Sequence, residues 1–452
     1  MNTPRAASPG QPAAPTLGSA TIVAIGDDPV AAELLDRLVD AGATVQRIAS
    51  ESRAEAFSGA DILVEASDSP AARRAESLHR LEHDLPPSVP MVAIAGSGPI
   101  APLARALHEP GRLIGLSICA GTGPLRLAEV VVVGGGAPAH AEALRNLLAQ
   151  AGVRTILVAD TAGCHARRLA RCYANEGLAL LGEGVPAPLI ESVAIEAGME
   201  TGPLAMMDAM SLEEADRLLH GAQHGHGHEH GHEHGHGHEH AHGHGHSHAH
   251  EHAHAHDDEH VHEHVHGRGH EHEHGHGHQA AHGHAHDHAH DHAHESAPAA
   301  QAHGMTEEAI YVLEKMAHGF NRMGRQAGRG FYDYEEGEPP ELWSGLKVFE
   351  RRRVSIPPED IRDRLLYRLA LESMRCLEEG VVASAADANL SSILGVGFPQ
   401  ASGGAIAFAD RAGASAFAAR SLELAERYGE RFAPPARLAG LSGEAPTQGA
   451  GA

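Results

Sequence analysis

The sequence predicts an α/β domain on a mainly parallel sheet, followed by a duplicated all-α region whose first half is split by a polyhistidine insertion. Three observations carry this. Short apolar runs alternate with helix-spaced segments from residue 20 to 160, and there the strand pattern stops. A stretch near residue 175 is echoed near residue 371. Between the two copies lie 33 histidines from His224 to His294, mostly at every second position.

Taken in order, the strand candidates are Ala20–Ile25, Val45–Ile48, Ala60–Glu65, Met91–Ala95, Leu113–Ser117, Glu129–Val133 and Thr155–Val158. Helical spacing marks Val30–Val39, Leu103–His108 and Ala139–Ala151. Such alternation buries a parallel sheet between helices on both faces. After Asp160, Arg168–Gly182, Leu189–Ala197 and Ser211–Leu219 read as amphipathic helices, and a second helical block begins near Pro358. Asn175-Glu-Gly-Leu-Ala-Leu-Leu-Gly-Glu-Gly-Val185 parallels Leu371-Glu-Ser-Met-Arg-Cys-Leu-Glu-Glu-Gly-Val381. Each is followed by a helix and then a Gly/Pro turn, Gly198–Pro203 and Gly395–Gly404. So long a period indicates a duplicated domain rather than a solenoid. The resulting division is a tail (1–18), an α/β domain (19–162), a first helical domain (163–222 with 304–345), a His-rich insertion (223–303), a second helical domain (346–442) and a tail (443–452). The insertion has no apolar face to offset the entropy of ordering it, so a disordered loop is expected.

Composition narrows the function. Apolar residues make up 42% of the 452 residues but aromatic ones only 3%, so Ala and Gly must do much of the packing. The formal charge of -26 counts all 41 His as neutral, which makes the real charge unusually sensitive to pH. An acidic chain with scattered basic residues argues against nucleic-acid binding, which needs Lys and Arg against phosphate. The four Cys form no C-x-x-C pair and no disulfide framework. The Pro/Ala-rich start, to about Thr16, lacks the apolar core of a secretory signal. No apolar run approaches the roughly 18 residues of a membrane span. A soluble, cytoplasmic protein is expected.

Three motifs in the C-terminal part then point to a family. They are Gly324-Arg-Gln-Ala-Gly-Arg-Gly-Phe-Tyr-Asp-Tyr334, Gly395-Val-Gly-Phe-Pro399 with Gly403-Gly404, and Arg431-Phe-Ala-Pro-Pro435. In this order they resemble the 3-hydroxyacyl-CoA dehydrogenases, and the dehydrogenase part of the multifunctional fatty-acid β-oxidation enzyme, from about Thr21 to Leu438 outside the insertion. The resemblance implies a Rossmann-like N-terminal domain followed by duplicated all-α domains of the 3-hydroxyacyl-CoA dehydrogenase C-terminal type. It implies NAD as cofactor, an acyl-CoA as substrate, and either a homodimer or association with β-oxidation enzymes.

The residues at the family's positions depart from its pattern. A dinucleotide loop needs G-x-G-x-x-G for the turn, for close approach of the pyrophosphate and for tight helix packing. Here Gly26-Asp-Asp-Pro-Val-Ala31 keeps the first Gly, with Asp28 at the second position and Ala31 at the third. The acidic residue expected on the ribose aligns with Ala49, with Glu51 two residues on. These changes predict weak NAD binding or a scaffold without cofactor. The family's acid/base His, whose proton transfer accompanies hydride transfer, aligns with Ser117 in Gly115-Leu-Ser-Ile-Cys-Ala120. Its partner Glu survives as Glu129 in Leu127-Ala-Glu-Val-Val131, unless that Glu is simply a strand-start residue facing solvent. A Ser cannot act as general base near neutral pH without its own activating base. The substrate-binding Ser aligns with Gly96, beside Ser97, and the Asn of a further turn aligns with Arg167, next to a retained Arg168. Ser69 replaces a family Glu, and His165 is read as a partly exposed bystander. A retained fold with a damaged dehydrogenase site is the expectation.

The insertion suggests separate chemistry. Neutral imidazoles bind zinc, nickel, copper and cobalt, and alternating His in a flexible chain can supply several nitrogens to one ion. Candidate ligands are His224, His226, His228, His230, His232 and His234 at one end, and His284, His286, His288 and His290 at the other. No fixed spacing such as H-E-x-x-H makes this a preformed catalytic site. Three classes of function therefore stand open: an oxidoreductase with a shifted residue set, a non-catalytic acyl-CoA or partner binder, and a metal-handling protein.

Overall fold

The computed structural model of the protein describes residues 17–48, 57–118, 125–133, 138–212, 305–350, 355–435 and 438, less 58, 68, 97 and 211. The predicted insertion at 223–303, with its candidate ligands from His224 to His290, lies outside the described residues, as do Ser97 and Glu51.

Seven strands form the first sheet: β1 (Thr21–Ile25), β2 (Thr44–Ile48), β3 (Ile62–Glu65), β4 (Met91–Ala95), β5 (Leu113–Ser117), β6 (Leu127–Val132) and β7 (Arg154–Val158). Their order is β2-β1-β3-β4-β5-β6-β7, parallel throughout except for the β5–β6 pair. Helices α1 (Pro29–Asp40), α2 (Ala71–Asp84), α3 (Ala101–Ala104) and α4 (Pro138–Gln150) cover it. Strand alternation sorts the side chains. Ile22 and Ala24 of β1, with Val92 and Ile94 of β4, pack on the face of α1 and α4, whereas Val23, Ile25, Met91 and Ala93 pack on the face of α2 and α3. Ala31, Leu34, Leu35 and Leu38, spaced at i, i+3, i+4 and i+7, are the buried stripe of α1. Each such fully buried Leu contributes roughly 1.5–3 kcal/mol.

Two differences from the predicted elements have physical causes. Helix α2 is absent from the prediction because its sequence, AARRAESLHRLEHD, is mostly polar and buries only Leu78, Leu81 and Glu82. The helix expected over Leu103–His108 instead occupies Ala101–Ala104. Beyond it the chain tightens into i→i+3 bonds (Ala106 N–H to Leu103 O, Leu107 N–H to Ala104 O). The Glu82 carboxylate then captures the N–H groups of His108 and Glu109 at 2.7 and 2.8 Å, which turns the chain into β5.

The helical region comprises α5 (Ala166–Gly182), α6 (Ala187–Glu196), α7 (Pro203–Met210) and α8 (Glu307–Glu314), then α9 (Pro358–Glu378), α10 (Ala385–Val396), α11 (Ala405–Ala412) and α12 (Ala414–Tyr428). The duplication is visible in the turns. Gly184 and Gly380 close the long helices at φ +100° and +73°, and Gly198 and Gly397 close the next ones at φ +94° and +69°. A left-handed residue after a helix satisfies its last carbonyls, and Gly takes that conformation without a Cβ clash. The predicted helix at Ser211–Leu219 lies outside the described residues apart from Leu212.

The two blocks are joined by buried charge. Arg364 of α9 is fully buried and binds Glu176 of α5 at 2.7 Å and Glu183 at 2.6 Å. Arg431, in the closing segment, reaches Glu176 at 2.7 Å. Burial alone would raise the Glu176 carboxyl, but Arg364 and Arg431 outweigh it and hold it at about 2. The loop at Gly324–Tyr334 is anchored in the same way. Asp208 of α7 accepts the N–H groups of Phe331 and Tyr332 at 2.8 and 2.9 Å and the Tyr334 hydroxyl at 3.0 Å. A two-stranded hairpin follows, β8 (Tyr332–Asp333) with β9 (Glu341–Leu342), too short to leave a strand pattern in the sequence. The α/β domain docks on the helices through Leu127, Val131, Ile156 and Val158, which pack against Ala166, Cys376, Val381 and Ala388.

Candidate functional site

The strand order runs both ways from β1, to β2 on one side and β3 on the other, and the crevice outside the carboxyl ends of β1 and β3 is where open α/β folds bind ligands. Gly26 stands at its mouth with φ +98°. A Cβ there would lie 2.3 Å from the carbonyl oxygen of Ala66, so this Gly is required by the protein's own backbone, whatever binds. Asp28 caps α1: its Oδ1 accepts the N–H of Ala31 at 2.8 Å, and its own N–H donates to Ala66 O at 3.0 Å. Ala31 is fully buried and gives the close packing that the third Gly provides elsewhere. In general a helix N-terminus, with unpaired N–H groups and the positive dipole end, is the natural seat of a pyrophosphate. Here a carboxylate of the chain already sits on it. The residues present do not fit a dinucleotide pyrophosphate at this loop.

Beside the crevice, Glu65 at the end of β3 is 1% exposed. It accepts two bonds from the Arg74 guanidinium at 2.8 and 2.5 Å, and Arg74 also donates to Ile94 O at 2.7 Å. Ser67 closes the other side, its hydroxyl hydrogen-bonded to Glu65. This group was not singled out from sequence, although an acidic residue ending the apolar run Ile-Leu-Val-Glu was a signal for it. Gly96 and Ser69 are exposed nearby.

The second cluster lies at the β5–β6 pair, the one antiparallel step of the sheet. Its register sets Ser117 opposite Glu129, and the Ser117 hydroxyl donates to Glu129 Oε2 at 3.1 Å. The other carboxylate oxygen accepts the N–H groups of Ala166 at 2.8 Å and His165 at 3.2 Å, at the start of α5. Both side chains are 1% exposed, which corrects the reading of Glu129 as a solvent-facing strand start. Burial pushes the Glu129 carboxyl up to about 7, against the Ala166 N–H, the Ser117 hydroxyl, the His165 N–H and the Arg167 charge.

His165 also differs from its expected place, being fully buried rather than partly exposed. Its Nδ1 meets Ser391 Oγ at 2.8 Å and its Nε2 meets Ser373 Oγ at 3.0 Å, so neither ring nitrogen is left over. Burial and the nearby Arg168 lower its pKa to about 4, which keeps the ring neutral. Sequence gave no signal for this arrangement, because the two serines lie 226 and 208 residues away. Cys164, in a left-handed turn at φ +49°, is buried and its thiol is pushed up to about 12, mainly by burial, so it is not a ready nucleophile. Arg167 donates to Ile118 O at 3.3 Å. Arg168 turns away from this cluster to Glu372 and Glu379 at 2.5 and 2.6 Å. The arrangement is a sealed network of Ser117, Glu129, two backbone N–H groups and Ser391, whose hydroxyl reaches Glu129 at 3.4 Å and ties in the His165 ring. As a relay it can hold one proton, but it presents no imidazole to a substrate.

Comparison with known proteins agrees with the fold. The fatty acid oxidation complex subunit alpha of Pseudomonas syringae pv. tomato is 41% identical over 131 residues, 26% of this chain and 17% of that protein. The corresponding subunit of Vibrio cholerae is 21% identical over 382 residues, 84% of this chain and 43% of that protein. The chain thus spans less than half the length of the curated relatives it matches. No family model matches it. Among solved structures, 3-hydroxybutyryl-CoA dehydrogenase from Escherichia coli superposes with a TM-score of 0.58 at 16% identity, covering 94% of this chain and 98% of that one. The dehydrogenase part of multifunctional enzyme 1 from C. elegans gives 0.54 at 15% identity, covering 93% and 89%. In fold, and over most of its length in sequence, the chain resembles the 3-hydroxyacyl-CoA dehydrogenases.

Proposed function

We propose that this is a 3-hydroxyacyl-CoA dehydrogenase-like protein of fatty-acid oxidation in which NAD-dependent catalysis is impaired or lost. The observation that carries the reading is the pairing of Ser117 with Glu129 inside the sheet, both 1% exposed, where the family's acid/base imidazole is expected. Losing an acid/base group lowers a rate by about 10²–10⁴-fold. The Asp28 carboxylate at the N-terminus of α1 adds repulsion against a cofactor phosphate. The test is oxidation of NADH with acetoacetyl-CoA on metal-stripped protein, with and without zinc. Turnover at an ordinary enzymatic rate, about 1–10³ per second, in either condition would defeat the proposal, and turnover at least about 10²-fold slower, or none, in both would support it.

A second reading, non-catalytic binding of an acyl-CoA, is favoured by one feature. A cleft of about 890 Å³ between α5 and α9 is lined by Arg168, Arg171, Arg368, Arg375 and Arg431 together with Glu372, Glu379 and Glu430, and Arg168, Arg375 and Arg431 are already paired with carboxylates. Guanidinium groups suit the phosphates of coenzyme A. Calorimetric titration with coenzyme A separates the readings, since heat of binding without turnover would favour the second.

A further inference from the structure

At the surface of the α/β domain, three exposed imidazoles converge: His79 and His83 of α2 and His108 of the turn before β5. One ligand nitrogen from each lies within 4.8 Å of the others. We infer that they form a site for a single divalent transition-metal ion such as zinc or nickel, distinct in sequence from the polyhistidine segment.

Helix geometry brings the first two together, because positions four apart share a face one turn from each other. The rings are packed side by side. His79 and His108 stack with centroids 4.9 Å apart, and His83 lies edge-on to them at 5.4 and 4.9 Å. Two of the three are also oriented as metal ligands are. His79 Nδ1 lies 2.8 Å from the carbonyl oxygen of Ala106, which can only accept, so the ring proton sits on Nδ1 and Nε2 keeps its lone pair. His108 Nδ1 lies 3.3 Å from Glu82 Oε2, so Nδ1–H donates to the carboxylate and Nε2 keeps its lone pair. Carbonyl or carboxylate partners behind an imidazole fix its tautomer and raise its basicity toward a metal.

Glu82 is itself fixed, being buried and holding the N–H groups of His108 and Glu109. The donor arrangement therefore rests on the α2 backbone and the 104–109 turn rather than on chance surface rotamers. Tetrahedral zinc with Zn–N near 2.0–2.1 Å places its nitrogens about 3.3 Å apart. Exposed rings reach that by rotating inward roughly 1 Å. Three imidazoles fill three positions and leave the fourth to water or to a ligand from elsewhere.

The test must see this site apart from the other histidines. The full chain is titrated with zinc ion in a buffer that sets free zinc, then pulse-labelled with diethylpyrocarbonate and read peptide by peptide by mass spectrometry. Labelling of His79, His83 and His108 should fall together, at least fivefold, along one saturation curve. His83→Ala, an exposed position where Ala favours helix, should restore labelling of His79 and His108 while leaving the zinc response of residues 224–294 unchanged. Nickel ion should act likewise. Undiminished labelling of the three at free zinc that protects the polyhistidine peptides would overturn the inference. So would protection of His79 and His108 that survives His83→Ala.

Discussion

Replacing Glu129 by Gln should stabilise the protein in mildly alkaline solution and do little in acid. Folding moves this carboxyl from its ordinary 4.5 to about 7, chiefly by burial. A carboxyl raised in the folded state favours folding while protonated. Its contribution is whole below pH 4.5 and is lost as pH rises through about 7, where the folded protein must hold a buried charge. At about 1.4 kcal/mol per pH unit, that interval is worth roughly 3 kcal/mol. Gln keeps the geometry: its carbonyl can accept from Ala166 and His165, and its amide can donate to the Ser117 hydroxyl. Urea unfolding of wild type and Glu129→Gln at pH 5 and pH 8 measures the effect. The difference between the two proteins cancels the other titrating groups, the numerous histidines included. The variant should gain up to about 3 kcal/mol at pH 8 relative to its offset at pH 5. An offset that is equal at both pH values, or a variant that is worse at pH 8, would show that the N–H donors keep this carboxylate ionised and would refute the argument.

Other outcomes follow from the same contacts. Arg364→Ala takes away one of the two guanidinium partners of the buried Glu176 and leaves Arg431 on it, so the cost in urea unfolding should be clear but below the roughly 3–5 kcal/mol of a fully uncompensated buried charge. Glu176→Gln should destabilise at pH 7 but not near pH 2, because a carboxyl held at about 2 contributes above 4.5 and loses that contribution as pH falls through 2. Gly26→Ala places a Cβ 2.3 Å from Ala66 O at φ +98° and should lower the thermal midpoint by several degrees, with no cofactor present. Asp28→Gly trades a cap bond worth a few tenths of a kcal/mol for removal of the charge at the α1 N-terminus. NADH fluorescence titration should then show tighter binding than wild type, and unchanged binding would mean that the carboxylate is not what opposes the phosphate.

The fold class was open to reading from sequence because it depends on periodicity and on the repeat. Alternating runs such as Thr21–Ile25 and Met91–Ala95 bury both faces of a parallel sheet, and the echo of residues 175–185 at 371–381 marks two blocks closed by the same left-handed glycines. Elements with little apolar surface escaped, as with α2 and the β8–β9 hairpin, since periodicity reports burial and these bury little. Asp28, Ser117 and Glu129 could be named from their positions along the chain. What they do depends on distance in space. The Asp28 carboxylate occupies its own helix end, Glu129 and Ser117 are sealed by one antiparallel step and the start of α5, and His165 is held by serines more than 200 residues away. Local sequence governs which elements form, through hydrogen-bonding period and side-chain pattern. Protonation and access are governed by which surfaces the packed elements exclude from water, and only the assembled chain settles that.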